Sequence, residues 1–264
     1  MRHIRTIIDK EWAEVFKNRT VIGMLAFMPL LFTLLPLVML SVTATQGMEG
    51  LDAASAGVPA NFLKACAGMN AGECMQVYLV NQFLLMFMMM PLMIPVTIAA
   101  YSIVGEKTTR SLEPLLATPV TIVELLTGKA LAAAIPGVLI TYLSFIVFVV
   151  GLYVIKIAPL VRAYILSPTW MLAILVLGPI FSIISVMTAI FISSRVNDPR
   201  VAEQVSGVVI IPLMAVLLLQ LAGVVVINLA FMLSAIVSCA ILAVGMVYLG
   251  TIFFQRETIL TRWK

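Results

Sequence analysis

The sequence predicts an all-α, polytopic membrane protein with six transmembrane helices, and three observations predict it. Six apolar runs are each long enough to cross a bilayer, which takes about 20 helical residues. Of the 264 residues, 62% are hydrophobic and 11% are charged, whereas soluble domains carry about 25% charged residues. The charges also fall between the apolar runs, in short connecting segments. A mean hydropathy of +1.15 leaves too much apolar surface for a soluble fold of this size to bury. The runs are continuous, which excludes the short alternating segments of a membrane β-barrel.

Taken in order, the chain reads as one transmembrane domain over 1–264. Residues 1–20 form an amphipathic helix: Ile4, Ile7, Ile8, Trp12, Val15 and Phe16 recur at helical spacing, with Arg5, Asp9, Lys10, Glu14 and Lys17 opposite. Trp12 suits the headgroup level, so this helix is expected to lie at the membrane interface; the alternative is a solvated tail. The spans follow at Val21–Ser41, Phe83–Val104, Ala130–Ile155, Trp170–Ser193, Val205–Val226 and Leu229–Phe254. Residues 204–254 are almost unbroken and too long for one crossing, so Asn228 is expected at a turn between the last two spans. Pro29, Pro36, Pro91, Pro95, Pro136, Pro179 and Pro212 sit within spans, where proline kinks a helix more often than it ends one. The charged N-terminal stretch argues against a cleavable signal peptide.

Orientation follows from Lys and Arg. With the N-terminus inside, all but three of the 16 lie in inner segments, and only Lys64, Lys156 and Arg162 lie outside. Both termini are therefore expected in the cytoplasm, with 42–82 as the outer loop and the protein in the cell's inner (plasma) membrane. The net charge of +4 is spread over these short loops, which reads as orientation and not as a nucleic-acid surface.

Much chemistry is missing. His3 is the only histidine, so neither a His-based triad nor a histidine metal cluster is possible, and the three cysteines lack zinc spacing. Neither Gly105-Glu106-Lys107-Thr108 nor Gly128-Lys129-Ala130 has the Gly-rich loop of a P-loop. No ionisable residue falls inside the spans as bounded above, whereas ion-coupled carriers bury such groups on their pathway. If the protein drives uphill transport, the energy must come from a partner through an inner loop.

Segment 105–129 is the obvious loop, a charged and Pro-punctuated stretch between two spans. It reads Glu106-Lys107-Thr108-Thr109-Arg110, Ser111-Leu112-Glu113, Leu115-Leu116, Ala117-Thr118-Pro119 and Glu124-Leu125-Leu126-Thr127-Gly128-Lys129. It resembles the first cytoplasmic loop of type-2 ABC-transporter permeases, of the sodium- and drug-exporter-like branch. Many members have Gly where this chain has Ser111. Lys10-Glu11-Trp12 followed by Lys17-Asn18-Arg19 is similar to the same family's approach to its first span. The resemblance implies a permease subunit of an ABC exporter that is not itself an enzyme. ATP and Mg would be bound by a separate ATPase subunit, and no cofactor by this chain. A second permease copy, or a similar permease, would complete the translocation path. Glu106, Lys107, Arg110, Ser111, Leu112, Glu113, Leu115 and Leu116 would form the coupling helix that docks on the ATPase. The leucines would supply apolar anchors and the charged residues the register. The rival reading is a six-span membrane enzyme or scaffold acting without an ATPase, with 105–129 an ordinary solvated loop.

Cys66 and Cys74 share the outer loop, where they form either a disulfide or two separate thiols. Gln82, Gln220 and Asn228, with Asn81, either line a path or bond across helices. The cluster Met86, Met88, Met89, Met90 and Met93 reads as flexible core filling before it reads as a copper(I) path.

Overall fold

The computed structural model describes residues 2–17, 19–45, 58–63, 66, 68–108 and 121–253, and among them the regular structure is entirely helical. The elements are α1 (Arg2–Val15), α2 (Arg19–Thr45), α3 (Ala60–Leu63), α4 (Ala71–Phe87), α5 (Met90–Thr108) and α6 (Ile122–Val154). They continue with α7 (Pro159–Ile165), α8 (Pro168–Leu172), a π turn (Ala173–Leu177) and α9 (Gly178–Ser193). The chain then forms α10 (Pro199–Ser206), a 3-10 turn (Gly207–Ile210), α11 (Ile211–Leu221) and α12 (Leu229–Phe253).

Among the described residues, six stretches are long and apolar enough to cross a membrane: Val21–Thr43, Ala71–Glu106, Val123–Val154, Pro159–Ser193, Pro199–Leu221 and Leu229–Ile252. The fold is thus that of a polytopic helical membrane protein. The second stretch, α4 and α5 together, is the axis of the bundle and is buried along most of its length. Against α5 pack α6, α9 and α10, and against α4 pack α2 and α7. α12 packs on α9 and leaves most of its surface outward.

Four crossings start earlier than the sequence expectation, at Ala71, Val123, Pro159 and Pro199 instead of Phe83, Ala130, Trp170 and Val205. α4 begins at Ala71, because Asn70 and Glu73 form a capping box there; Asn70 Oδ1 accepts from Glu73 N–H at 2.8 Å. The fifth crossing begins at Pro199, capped by Asp198, and so brings Glu203 into a span that was expected to start at Val205. At the expected turn, Asn228 Oδ1 accepts from Phe231 N–H at 2.8 Å and caps α12. Gly223, with φ of 71°, turns the chain just before it, where an added Cβ would come within 2.7 Å of Pro59.

Prolines inside the spans orphan main-chain carbonyls, since Pro has no N–H for the residue four earlier. Neighbouring helices supply the missing donors. Pro95 orphans Pro91 O, and Ser182 and Ser185 hydroxyls of α9 donate to it at 3.1 and 3.4 Å. Beside Pro179, in the π turn, Tyr142 of α6 donates to Leu175 O at 3.0 Å. In a medium without water such groups must be satisfied by protein, so each bond fixes which helix faces the kink. Close approach helps: a Cβ on Gly137 would lie 2.6 Å from Pro95, and one on Gly151 the same distance from Leu37.

Candidate functional site at the ends of segment 109–120

Segment 109–120 leaves α5 and enters α6, and both helices are tied down beside it. On the α6 side Thr121 caps the helix. Its Oγ1 accepts from Glu124 N–H at 3.2 Å, while Glu124 Oε2 accepts from Thr121 N–H at 3.0 Å. Two N–H groups at the helix start thereby gain partners.

Behind these ends lies a buried ionic cluster. Lys129 Nζ of α6 donates to Glu11 Oε1 of α1 at 2.7 Å and to Ser102 Oγ of α5 at 2.9 Å. It also pairs with Glu106 Oε2 of α5 at 2.7 Å. An ammonium has three N–H groups, and three acceptors surround this one. Lys10 Nζ of α1 donates to the other Glu106 oxygen at 2.5 Å and lies 3.5 Å from Glu14. The side chains of Glu11, Glu106 and Lys129 are 2%, 4% and 5% exposed. Two cations balance two anions here, the condition under which buried charge is tolerated.

Partial burial opposes the charge on Lys10, yet the hydrogen bond and attraction from Glu106 outweigh it and hold its pKa above 10.5. A raised lysine pKa stabilises the fold fully below 10.5. That contribution is lost only as pH rises through the folded value, so Lys10 holds α1 throughout the neutral range.

Two further contacts seat α1. Trp12 Nε1 donates to Ala132 O at 2.9 Å, and this is the carbonyl that Pro136 orphans. A Cβ on Gly128 would sit 2.9 Å from Ile7 Cγ2, so a larger residue would push α1 off α6. Gly128-Lys129 thus closes the charged segment for two physical reasons: contact for α1 and a counter-ion for Glu11.

Of the residues expected to couple, Glu106 is buried in the cluster and Lys107 continues the α5 backbone. Arg110, Ser111, Leu112, Glu113, Leu115 and Leu116 lie outside the described residues. Cys66 and Cys74 are joined, with Cα atoms 5.3 Å apart. Gln82 and Gln220 are buried, their amide groups without a hydrogen-bond partner among the described residues, on helices α4 and α11 that pack together. Asn228 is an exposed cap.

Sequence reasoning missed the role of Glu11. The signal was there: Ile7, Glu11 and Val15 are spaced by four and all are buried, so an acid sits on the apolar stripe of α1. Phe16, expected on that stripe, is exposed.

A search of curated proteins finds no match. The model of the family described as "ABC-2 family transporter protein" matches residues 5–256, which is nearly the whole chain and takes in most of α1, the ionic cluster and the six crossings named above. The chain therefore belongs to the ABC-2 transporter family.

Proposed function

We propose that this permease component serves an exporter, and that it couples to a separate ATP-binding subunit through segment 109–120. The observation that carries the reading is the Lys129–Glu106 pair. It joins the helix before the segment to the helix after it, and Glu11 and Lys10 add α1 to the same unit. A push on the segment would therefore be delivered to three helix ends together and not absorbed by a loose loop. Removing one partner of such a buried pair costs about 3–5 kcal/mol, so the unit resists being pulled apart. Arg110, Ser111 and Glu113, together with Lys107, would set the docking register, and Leu112, Leu115 and Leu116 would bury apolar surface on the ATPase. Glu106 would anchor the segment from within.

In this reading the termini and segment 109–120 face the cytoplasm of a cell with the protein in its inner membrane. Two permease copies, or this chain and a similar one, enclose the path, and Gln82 and Gln220 face it. ATP and Mg are held by the partner. The test is co-expression with an ATP-binding subunit that carries Walker motifs, sought first among the products of the neighbouring genes, and extraction in mild detergent. Co-elution with ATP hydrolysis is expected. A chain that elutes alone, or whose Ser111→Cys variant is labelled from outside by an impermeant maleimide, is instead the scaffold or enzyme of the rival reading.

A further inference from the structure

We propose that the cavity beside Glu203 binds an organic cation: a quaternary or protonated amine carrying a small apolar or aromatic group. The cavity measures about 190 Å³ and lies between α2, α5 and α10. Its wall includes Phe27 and Met28 from α2, Met93, Ile94 and Thr97 from α5, and Glu203 from α10. Thr97 Oγ1 donates to Glu203 Oε1 at 2.6 Å. Thr97 is nine residues before Glu106, roughly 13 Å along α5, so this half-buried carboxylate, one turn after the Pro199 start of the fifth crossing, lies apart from the ionic cluster.

Among the described residues no Lys or Arg reaches ion-pair distance of Glu203. A half-buried carboxylate without a counter-ion is costly in a crossing, and a cation in the cavity would offset that cost. The wall selects the kind of cation. Calcium and magnesium want six or more oxygen ligands, and the wall offers one carboxylate and one threonine hydroxyl. A weakly hydrated organic cation gives up less water. Its carbon surface fits the two methionine thioethers and Ile94, and the Phe27 ring attracts positive charge. At about 190 Å³ the cavity is smaller than a whole drug-sized site of about 300–1,000 Å³. It therefore admits the charged head and its first apolar group, with any longer tail lying outward along α2.

The site stands on the cavity and not on the export reading, because binding needs neither ATPase nor transport. The purified full chain in dodecyl maltoside is dialysed to equilibrium against labelled benzyltrimethylammonium and, separately, against its uncharged carbon isostere neopentylbenzene. The wild type is expected to prefer the cation at least tenfold. Glu203→Gln keeps an acceptor for Thr97 and should remove that preference. Met93→Trp fills the cavity, leaves the carboxylate in place and should remove binding of both compounds. The proposal is overturned if wild type and Glu203→Gln bind the cation equally, or if the wild type binds no cation or does not distinguish it from the isostere. Matching elution profiles of the three proteins separate loss of the site from loss of the fold.

Discussion

Trp12 Nε1 donates to Ala132 O at 2.9 Å, filling the acceptor that Pro136 strips of its helical donor. A side chain from one end of the chain thus completes the backbone of a helix 120 residues away. Trp12→Phe keeps most of the apolar contact and leaves this carbonyl unpaired, which costs about 1–3 kcal/mol. Pro136→Ala gives Ala132 O a main-chain donor again. The loss from Trp12→Phe should therefore shrink in the Pro136→Ala background, read as thermal unfolding in detergent. If the two substitutions add without coupling, the bond does not carry the attachment of α1.

Lys129 has three acceptors, and among the described residues no other cation reaches ion-pair distance of Glu11. Lys129→Met should accordingly release α1, with a loss of about 3–5 kcal/mol. Adding Glu11→Gln removes the stranded charge and should restore part of the stability. A single cysteine at Ile7, which is buried against Gly128, reports release as faster maleimide labelling. An unchanged labelling rate in Lys129→Met would mean that apolar contact and Trp12 suffice.

Much of this arrangement was legible in the sequence, and the remainder was not for a physical reason. Apolar length fixes a crossing wherever it occurs, so the six runs were readable one by one. The Thr121–Glu124 and Asn70–Glu73 boxes are local signals of helix starts, and the second could have moved the start of α4 back to Ala71. Long-range pairings leave no such trace. Nothing in the periodicity around Glu11 names Lys129, and nothing beside Pro95 names Ser182. Those partners are set by which helices pack, and packing in lipid is decided by glycine contacts and orphaned carbonyls spread over the whole chain. Glu203 escaped because a span boundary drawn from hydropathy starts at Val205, whereas the Asp198 cap starts the helix at Pro199.

Cys66 and Cys74 close a short loop that pins the start of α4, near Asn61, whose amide donates to Gly223 O at 2.8 Å. We expect the bond to form in the native protein. A crosslink over a loop this short contributes about 2–3 kcal/mol. Wild-type protein should show more reactive thiols after reduction, and Cys66→Ser should expose a new one at Cys74. Equal labelling before and after reduction would refute the bond.

The last prediction concerns the segment itself. Docking on a partner needs apolar anchors for affinity and charges for register. Leu115→Asp removes an anchor and Glu113→Lys reverses a register charge. Neither touches a crossing, so membrane insertion should be unchanged, as should the thermal stability set by the Lys129 cluster. Hot-spot contacts are worth roughly 2–4 kcal/mol, and each 1.4 kcal/mol is tenfold in affinity, so co-elution of the ATP-binding subunit should fall by at least tenfold. Glu106→Gln separates anchoring from docking. It weakens the tie between α5 and α6, and should lower stability in the isolated chain, where the docking variants do not. Glu49→Lys, far along the chain in the expected outer loop, is the control and should assemble normally. If Leu115→Asp and Glu113→Lys both assemble and support ATP hydrolysis like the wild type, segment 109–120 is a connector and the contact with the ATPase lies elsewhere.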